Sequence, residues 1–149
     1  MKKIDIQNAP ISAGSKYPEP FATPCLNKVR YRLAIAAGLR KLGVNLLELN
    51  PGAWSSQRHW HTRTDEFIYV VEGEVVLVTQ GGEEVLRAGD CAGFPEGEAN
   101  GHHLQNRTEV RALVLEIGSA SLVDDETHYP DIDLHATATG YSHKNGTPY

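Results

Sequence analysis

No stretch of this chain comes near the run of about 20 apolar residues that spans a bilayer, and the opening MKKIDIQNAPISAGS carries two lysines with no apolar segment behind them. Neither a membrane span nor a secretory leader is therefore expected, and the chain is expected to be cytoplasmic. Basic residues are also scarce. The 14 Lys and Arg are outnumbered by 19 Asp and Glu, for a formal net charge of −5, and they are scattered along the chain. Nucleic acid is held by clustered cations that release phosphate counterions, so no nucleic-acid partner is expected. Cys25 and Cys91 are the two cysteines; their spacing matches no metal motif, and they read as reduced thiols. Internal repeats and low-complexity tracts are lacking as well.

What is present suits a single domain over residues 1–149. A chain of 149 residues with 40% hydrophobic content is long enough to close one core and too short to divide readily into two. Residues 1–42 form an arm: Pro10, Pro18, Pro20 and Pro24 break any ladder, which leaves an extended segment with one edge strand at most. Within it, YRLAIAAGLRKLG (31–43) has alanines that suit a helical turn and glycines that interrupt one, so a bend is expected there.

From about residue 43 to 118 the pattern changes to short apolar runs separated by Gly, Pro and Asp. The runs cover 43–50, 55–61, 66–73, 74–80, 83–88, 91–95, 102–106 and 110–117. So many short strands leave no room for crossover helices, which predicts an all-β antiparallel sandwich or barrel. Residues 119–149 turn polar again and read as a tail with isolated apolar anchors. His128, His135 and His143 lie in it with no shared spacing and read as surface residues.

The chemistry concentrates in RHWHTRTDE, residues 58–66. On a strand, residues i and i+2 share a face, so His59 and His61 point one way and Trp60 the other. Glu66 has the wrong parity for a straight strand, but the polar TRTD segment reads as a hairpin turn that returns Glu66 on a neighbouring strand beside the pair. A third imidazole comes from GHHLQN, where His102 and His103 point to opposite faces and only one is expected inward. Three imidazoles and a carboxylate make an open site for a divalent transition metal. Around it, Gln57 shares the His59 face, Arg58 is a candidate fork for a substrate carboxylate or phosphate, and Asn100 overhangs the barrel mouth.

These residues carry a resemblance. Gly52, His59, His61, Glu66 and Gly73 follow the first motif of the cupin superfamily, with six residues rather than five after Gly52. Gly89, Pro95, Gly97, His102 and Asn106 follow the second, with four residues rather than two between Gly97 and the histidine. Strict spacing would place Asn100 at the ligand position. The interval from His102 to Asn106 is the family's own, so the extra residues belong to the loop; His103 remains the competing ligand. The resemblance implies a jelly-roll β-barrel and one Fe, Mn, Ni or Zn ion per chain held by His59, His61, Glu66 and His102. Gln57, Arg58, Asn100 and His103 are then candidate substrate contacts. The ending HKNGTPY is similar to that of small bacterial cupins labelled sugar-phosphate-isomerase-like.

The resulting expectation is a small metal-dependent enzyme acting on a polar small molecule, isomerase-like or dioxygenase-like. The alternative is a non-catalytic metallo-barrel that binds or senses a small ligand. An isomerase also needs a general base, for which Glu98, Asp65 and His103 are the candidates. A homodimer is expected, because the arm leaves edge strands for a partner to cover and cupins often pair this way.

Overall fold

The structure, a computed structural model, describes residues 3–119 and 124–149; the first two residues of the expected arm and positions 120–123 of the expected tail lie outside the described residues. The elements in chain order are β1 (Ile11–Ala13), β2 (Lys28–Tyr31), α1 (Leu33–Ala37), β3 (Leu42–Leu49), β4 (Trp60–His61), β5 (Glu66–Glu72), β6 (Glu74–Thr79), β7 (Gly82–Arg87), β8 (Cys91–Phe94), β9 (His103–Gln105), β10 (Ala112–Ser119), β11 (Thr127–Tyr129), β12 (Leu134–Thr137) and β13 (Gly140–Ser142). Short 3-10 turns at Ile6–Asn8 and Thr23–Cys25 interrupt the arm.

The strands form three antiparallel sheets, ordered β1-β2-β3-β10-β5-β8, β13-β12-β11-β4 and β7-β6-β9. Alternation along the long strands builds the core. Leu47 and Leu49 of β3, Val70 of β5, Val75 of β6 and Val114 of β10 are fully buried, and Leu77, Leu86 and Leu104 join them from β6, β7 and β9. The six-stranded and three-stranded sheets are thus pressed together by branched aliphatic side chains, as a two-layer β fold requires. Gly73, between β5 and β6, adopts φ 81°, and a Cβ there would stand 2.9 Å from the Arg111 carbonyl oxygen. The hairpin therefore closes only on a residue without a side chain.

Five features differ from the sequence reading. The bend at 31–43 contains α1, one turn of helix that Ala34, Ala36 and Ala37 favour and that Gly38 ends at φ 71°, its N–H returning to the Ala34 and Ile35 carbonyls. The arm supplies two strands rather than one, β1 on β2 and β2 on β3. The run at 55–61 pairs as a strand at Trp60–His61 and bridges at His59; at Ser55 the backbone N–H reaches the Leu104 carbonyl while Ser55 Oγ accepts the Leu104 N–H in return. The segment from His61 to Glu66 is not a hairpin turn, since β4 and β5 belong to different sheets. Finally, the tail folds into the β11–β13 meander, anchored by buried Tyr129 and Leu134 and paired to β4.

Candidate metal centre

His59 and His61 approach the cavity from one wall, and Glu66 reaches it from the facing sheet at the start of β5. The carboxylate oxygen Oε2 of Glu66 lies 3.7 Å from His59 Nε2, 3.7 Å from His61 Nε2 and 3.0 Å from His102 Nε2. Ligand atoms of His59, His61 and Glu66 all fall within 4.8 Å of one another. His102 enters through a bridge to His59, in which each residue's N–H donates to the other's carbonyl, at 3.1 and 2.9 Å. Direct cross-strand partners share a face, so the His102 ring comes to 4.9 Å from that of His59.

The rings are oriented from behind. His59 Nδ1–H donates to the Gln57 carbonyl at 2.9 Å, and His61 Nδ1–H donates to Asp125 Oδ2 at 2.6 Å. Both hydrogen bonds fix the tautomer that leaves the Nε2 lone pair facing Glu66. Burial, reinforced by the neighbouring imidazoles, pushes His59 down to about 3 against the pull of Glu66, so it is neutral near pH 7. Burial alone would raise Glu66, but the His102 hydrogen bond and the surrounding imidazoles hold it down to about 2. Burial likewise opposes ionisation of Asp125, yet the Arg63 N–H and His61 keep its carboxyl below the usual range. Neutral imidazole lone pairs and an ionised carboxylate are the protonation states a divalent ion needs.

His102 differs in one respect. Its Nε2–H is spent on Glu66, and its Nδ1 is buried with no hydrogen-bond partner among the described residues. That bare nitrogen can carry the proton Nε2 would release to become a ligand. The donor set therefore fits a borderline divalent ion. Phe94 stacks flat on the His102 ring at 3.6 Å and fixes its plane.

The four residues named as substrate contacts have other engagements. Gln57 donates from Nε2 to the Phe21 carbonyl at 2.7 Å. Arg58 forms a fork with Asp131, at 2.7 and 2.6 Å, and also reaches the Gly101 carbonyl. Asn100 Oδ1 accepts from the Gln80 N–H at 3.0 Å, and its side chain borders a small crevice of about 40 Å³ behind Glu66. His103 donates from Nδ1 to the Ser56 carbonyl and packs edge-on against Trp54, and of the four it is the one that also lines the main cavity. Of the proposed bases, Glu98 borders the same crevice, and Asp65 accepts the Glu96 N–H on the exposed turn.

The main cavity has a volume of about 620 Å³, and its walls come largely from residues that sequence reasoning missed. Lys28 and Arg30, both facing inward from β2, donate to the Ser55 carbonyl, and Arg30 also grips Glu116 of β10 at 2.7 and 2.9 Å. Two cations thus face one carboxylate. Burial first, then the neighbouring Arg30, pushes the Lys28 ammonium down to about 8. Lys16, Arg32 and Arg40 add positive charge at the exposed rim. Tyr17 and Tyr129 meet edge to face at 5.7 Å on another wall, and burial raises both phenols, which stay protonated as donors. The signal was present in Lys28 and Arg30 as an i, i+2 pair, but their neighbours carry no alternation to mark a strand.

The comparisons with known proteins agree with this geometry. The family pattern described as a cupin domain matches residues 45–118. A sugar phosphate isomerase of the cupin superfamily from Silicibacter pomeroyi is 39% identical, over 99% of this chain and 96% of that one, with a TM-score of 0.92. A protein from Acidithiobacillus ferrooxidans provisionally named a sugar phosphate isomerase is 29% identical over 77% of this chain and 74% of that one, with a TM-score of 0.70. The polyketide cyclase of Streptomyces resistomycificus shares the fold at 22% identity over 81% of this chain and 80% of that one, with a TM-score of 0.64. No curated protein matches the sequence. With its His-x-His strand, its facing glutamate and its nearly full-length likeness to a cupin, this chain belongs to the cupin superfamily.

Proposed function

We propose that this cupin is a metal-dependent enzyme that isomerises a small anionic carbonyl or hydroxyl compound, of which a sugar phosphate is the leading class. One observation carries the reading: the carboxylate ringed by three imidazoles opens onto a cavity where Lys28 and Arg30 outnumber Glu116. The name of the Silicibacter pomeroyi relative supports the substrate class. In this reading His59, His61, Glu66 and His102 hold one Fe, Mn, Ni or Zn ion, which when bound polarises a substrate oxygen.

The chain's own residues do the rest. Lys28 and Arg30 attract the anionic group, Glu116 occupying the Nε–Nη2 edge of the arginine and leaving its Nη1 to the ligand. Tyr17 and Tyr129, the latter stacked on the His59 ring at 5.9 Å, offer hydroxyl donors to the same molecule. The test is to follow aldose–ketose phosphate interconversion by proton NMR in metal-replete wild type and in Glu66→Gln. Turnover by the wild type that the variant loses is expected. Tight binding of the same sugar phosphates without turnover would favour a ligand-binding barrel instead, and consumption of dioxygen would favour an oxygenase.

A homodimer belongs to the same reading. Phe67, Tyr69 and Val71 of β5 are 40%, 41% and 47% exposed on the outer face of the six-stranded sheet. Such a patch suits a second copy of the chain, and sedimentation at micromolar concentration is expected to give twice the 16.4 kDa chain mass.

A further inference from the structure

The β11–β13 meander carries a second cluster of ligating side chains, on the sheet face turned away from the cavity. His128 and His135 are direct cross-strand partners between β11 and β12. Their rings stack at 4.7 Å. Glu126 precedes His128 by two residues and so shares its face. Its Oε2 lies 3.0 Å from His135 Nε2 and 3.7 Å from His128 Nε2, and ligand atoms of all three residues fall within 4.8 Å of one another.

From this juxtaposition we propose a second metal site: Glu126, His128 and His135 bind a divalent transition ion such as Zn²⁺ at the protein surface, independently of the cavity. Two imidazole nitrogens and one carboxylate oxygen are the donor set of many open zinc sites, with remaining positions left to water. The donors are only partly exposed, with side-chain accessibilities of 37% for His128, 23% for His135 and 48% for Glu126. An ion would displace the Glu126–His135 hydrogen bond and take the same three donor atoms, which lie on side chains that solvent reaches. The geometry is also pre-set. Register fixes the two histidines opposite each other, and Trp60 of β4 stacks on the His128 ring at 4.4 Å and 15°, which restrains its rotation.

The charges around the cluster are mixed. Asp125 adds negative charge nearby, and Lys144 adds positive charge that acts on His128. Lys144 is otherwise engaged, its Nζ reaching the Pro130 carbonyl at 3.3 Å and its N–H donating to Asp133. The cluster and the cavity ligands occupy opposite faces of one thin sheet: Thr127 pairs with His61 on the inner side, and His128 pairs with Trp60 on the outer.

Equilibrium dialysis of the full chain against Zn²⁺, with bound zinc counted by atomic absorption, tests the site. His135→Ala is expected to lose one equivalent per chain relative to wild type, and His128→Asn to do the same. His61→Ala removes only the cavity ion, so failure of either site is visible separately. Equal zinc uptake by wild type, His135→Ala and His128→Asn would overturn the outer site, whatever the cavity binds.

Discussion

His59 and His102 stand opposite each other in an antiparallel bridge, with hydrogen bonds of 3.1 and 2.9 Å running both ways between their backbones. This pairing decides which of two adjacent histidines turns its ring to Glu66. Residues opposed across a bridge project to one side, so His102 joins His59, and His103 is sent behind it to Trp54 and the Ser56 carbonyl. The two-residue excess in the preceding loop does not change the outcome, because register rather than loop length sets the face.

His102→Ala and His103→Ala should therefore part company. The first is expected to release the metal from protein purified without chelators, as elemental analysis would read. The second should keep the metal but lower stability by about 1–3 kcal/mol in urea denaturation, since a buried, hydrogen-bonded ring is lost. Retention of full metal by His102→Ala would refute its ligand role.

Asp125 offers a graded test of the same centre. It touches His61 Nδ1 and not the space among the Nε2 atoms. Asp125→Asn should weaken metal affinity by about 10–100-fold, the range for a partner that orients a ligand. His61→Ala should abolish binding at that site. Competition with a chromophoric chelator distinguishes the two, and equal losses would sink the assignment of Asp125 as a positioning residue.

Lys28 predicts a pH dependence of definite sign. Its folded-state value is pushed from 10.5 down to about 8. Between those limits the unfolded chain holds a proton that the folded chain has released, so this residue's contribution to stability rises with pH from about 8 to 10.5. Binding runs the other way, because an anion is held by the ammonium. Affinity for inorganic phosphate should fall as pH climbs through about 8, and Lys28→Met should flatten both trends. Calorimetric titrations and urea melts of the two proteins read them directly; parallel profiles would exclude Lys28.

Much of the centre was legible in the sequence because it is local. The His59 and His61 side chains share a wall through simple alternation, and the jelly-roll strands from Leu42 to Ser119 follow apolar runs punctuated by Gly and Pro. The nearness of Glu66 was also foreseen, but by the wrong route: the chain crosses between sheets rather than turning a hairpin. The rest was hidden because it depends on pairings between distant segments. Strands of three or four residues, such as β1, β11 and β13, have no periodic signal of their own. The Asp125 contact with His61 exists only once the tail has paired with β4, and the Arg30 fork on Glu116 spans 86 positions. Arg58, which looked like a substrate fork, was claimed by Asp131 from the same tail.

The ion's proposed ligands all fall within the stretch that matches the cupin domain, residues 45–118. Lys28, Arg30, Tyr17, Tyr129 and Asp125 do not. Candidate metal ligands and much of the cavity wall thus come from separate stretches of the chain, joined through Asp125, so a flanking segment redrawn to accept a new molecule must keep that one hold on His61.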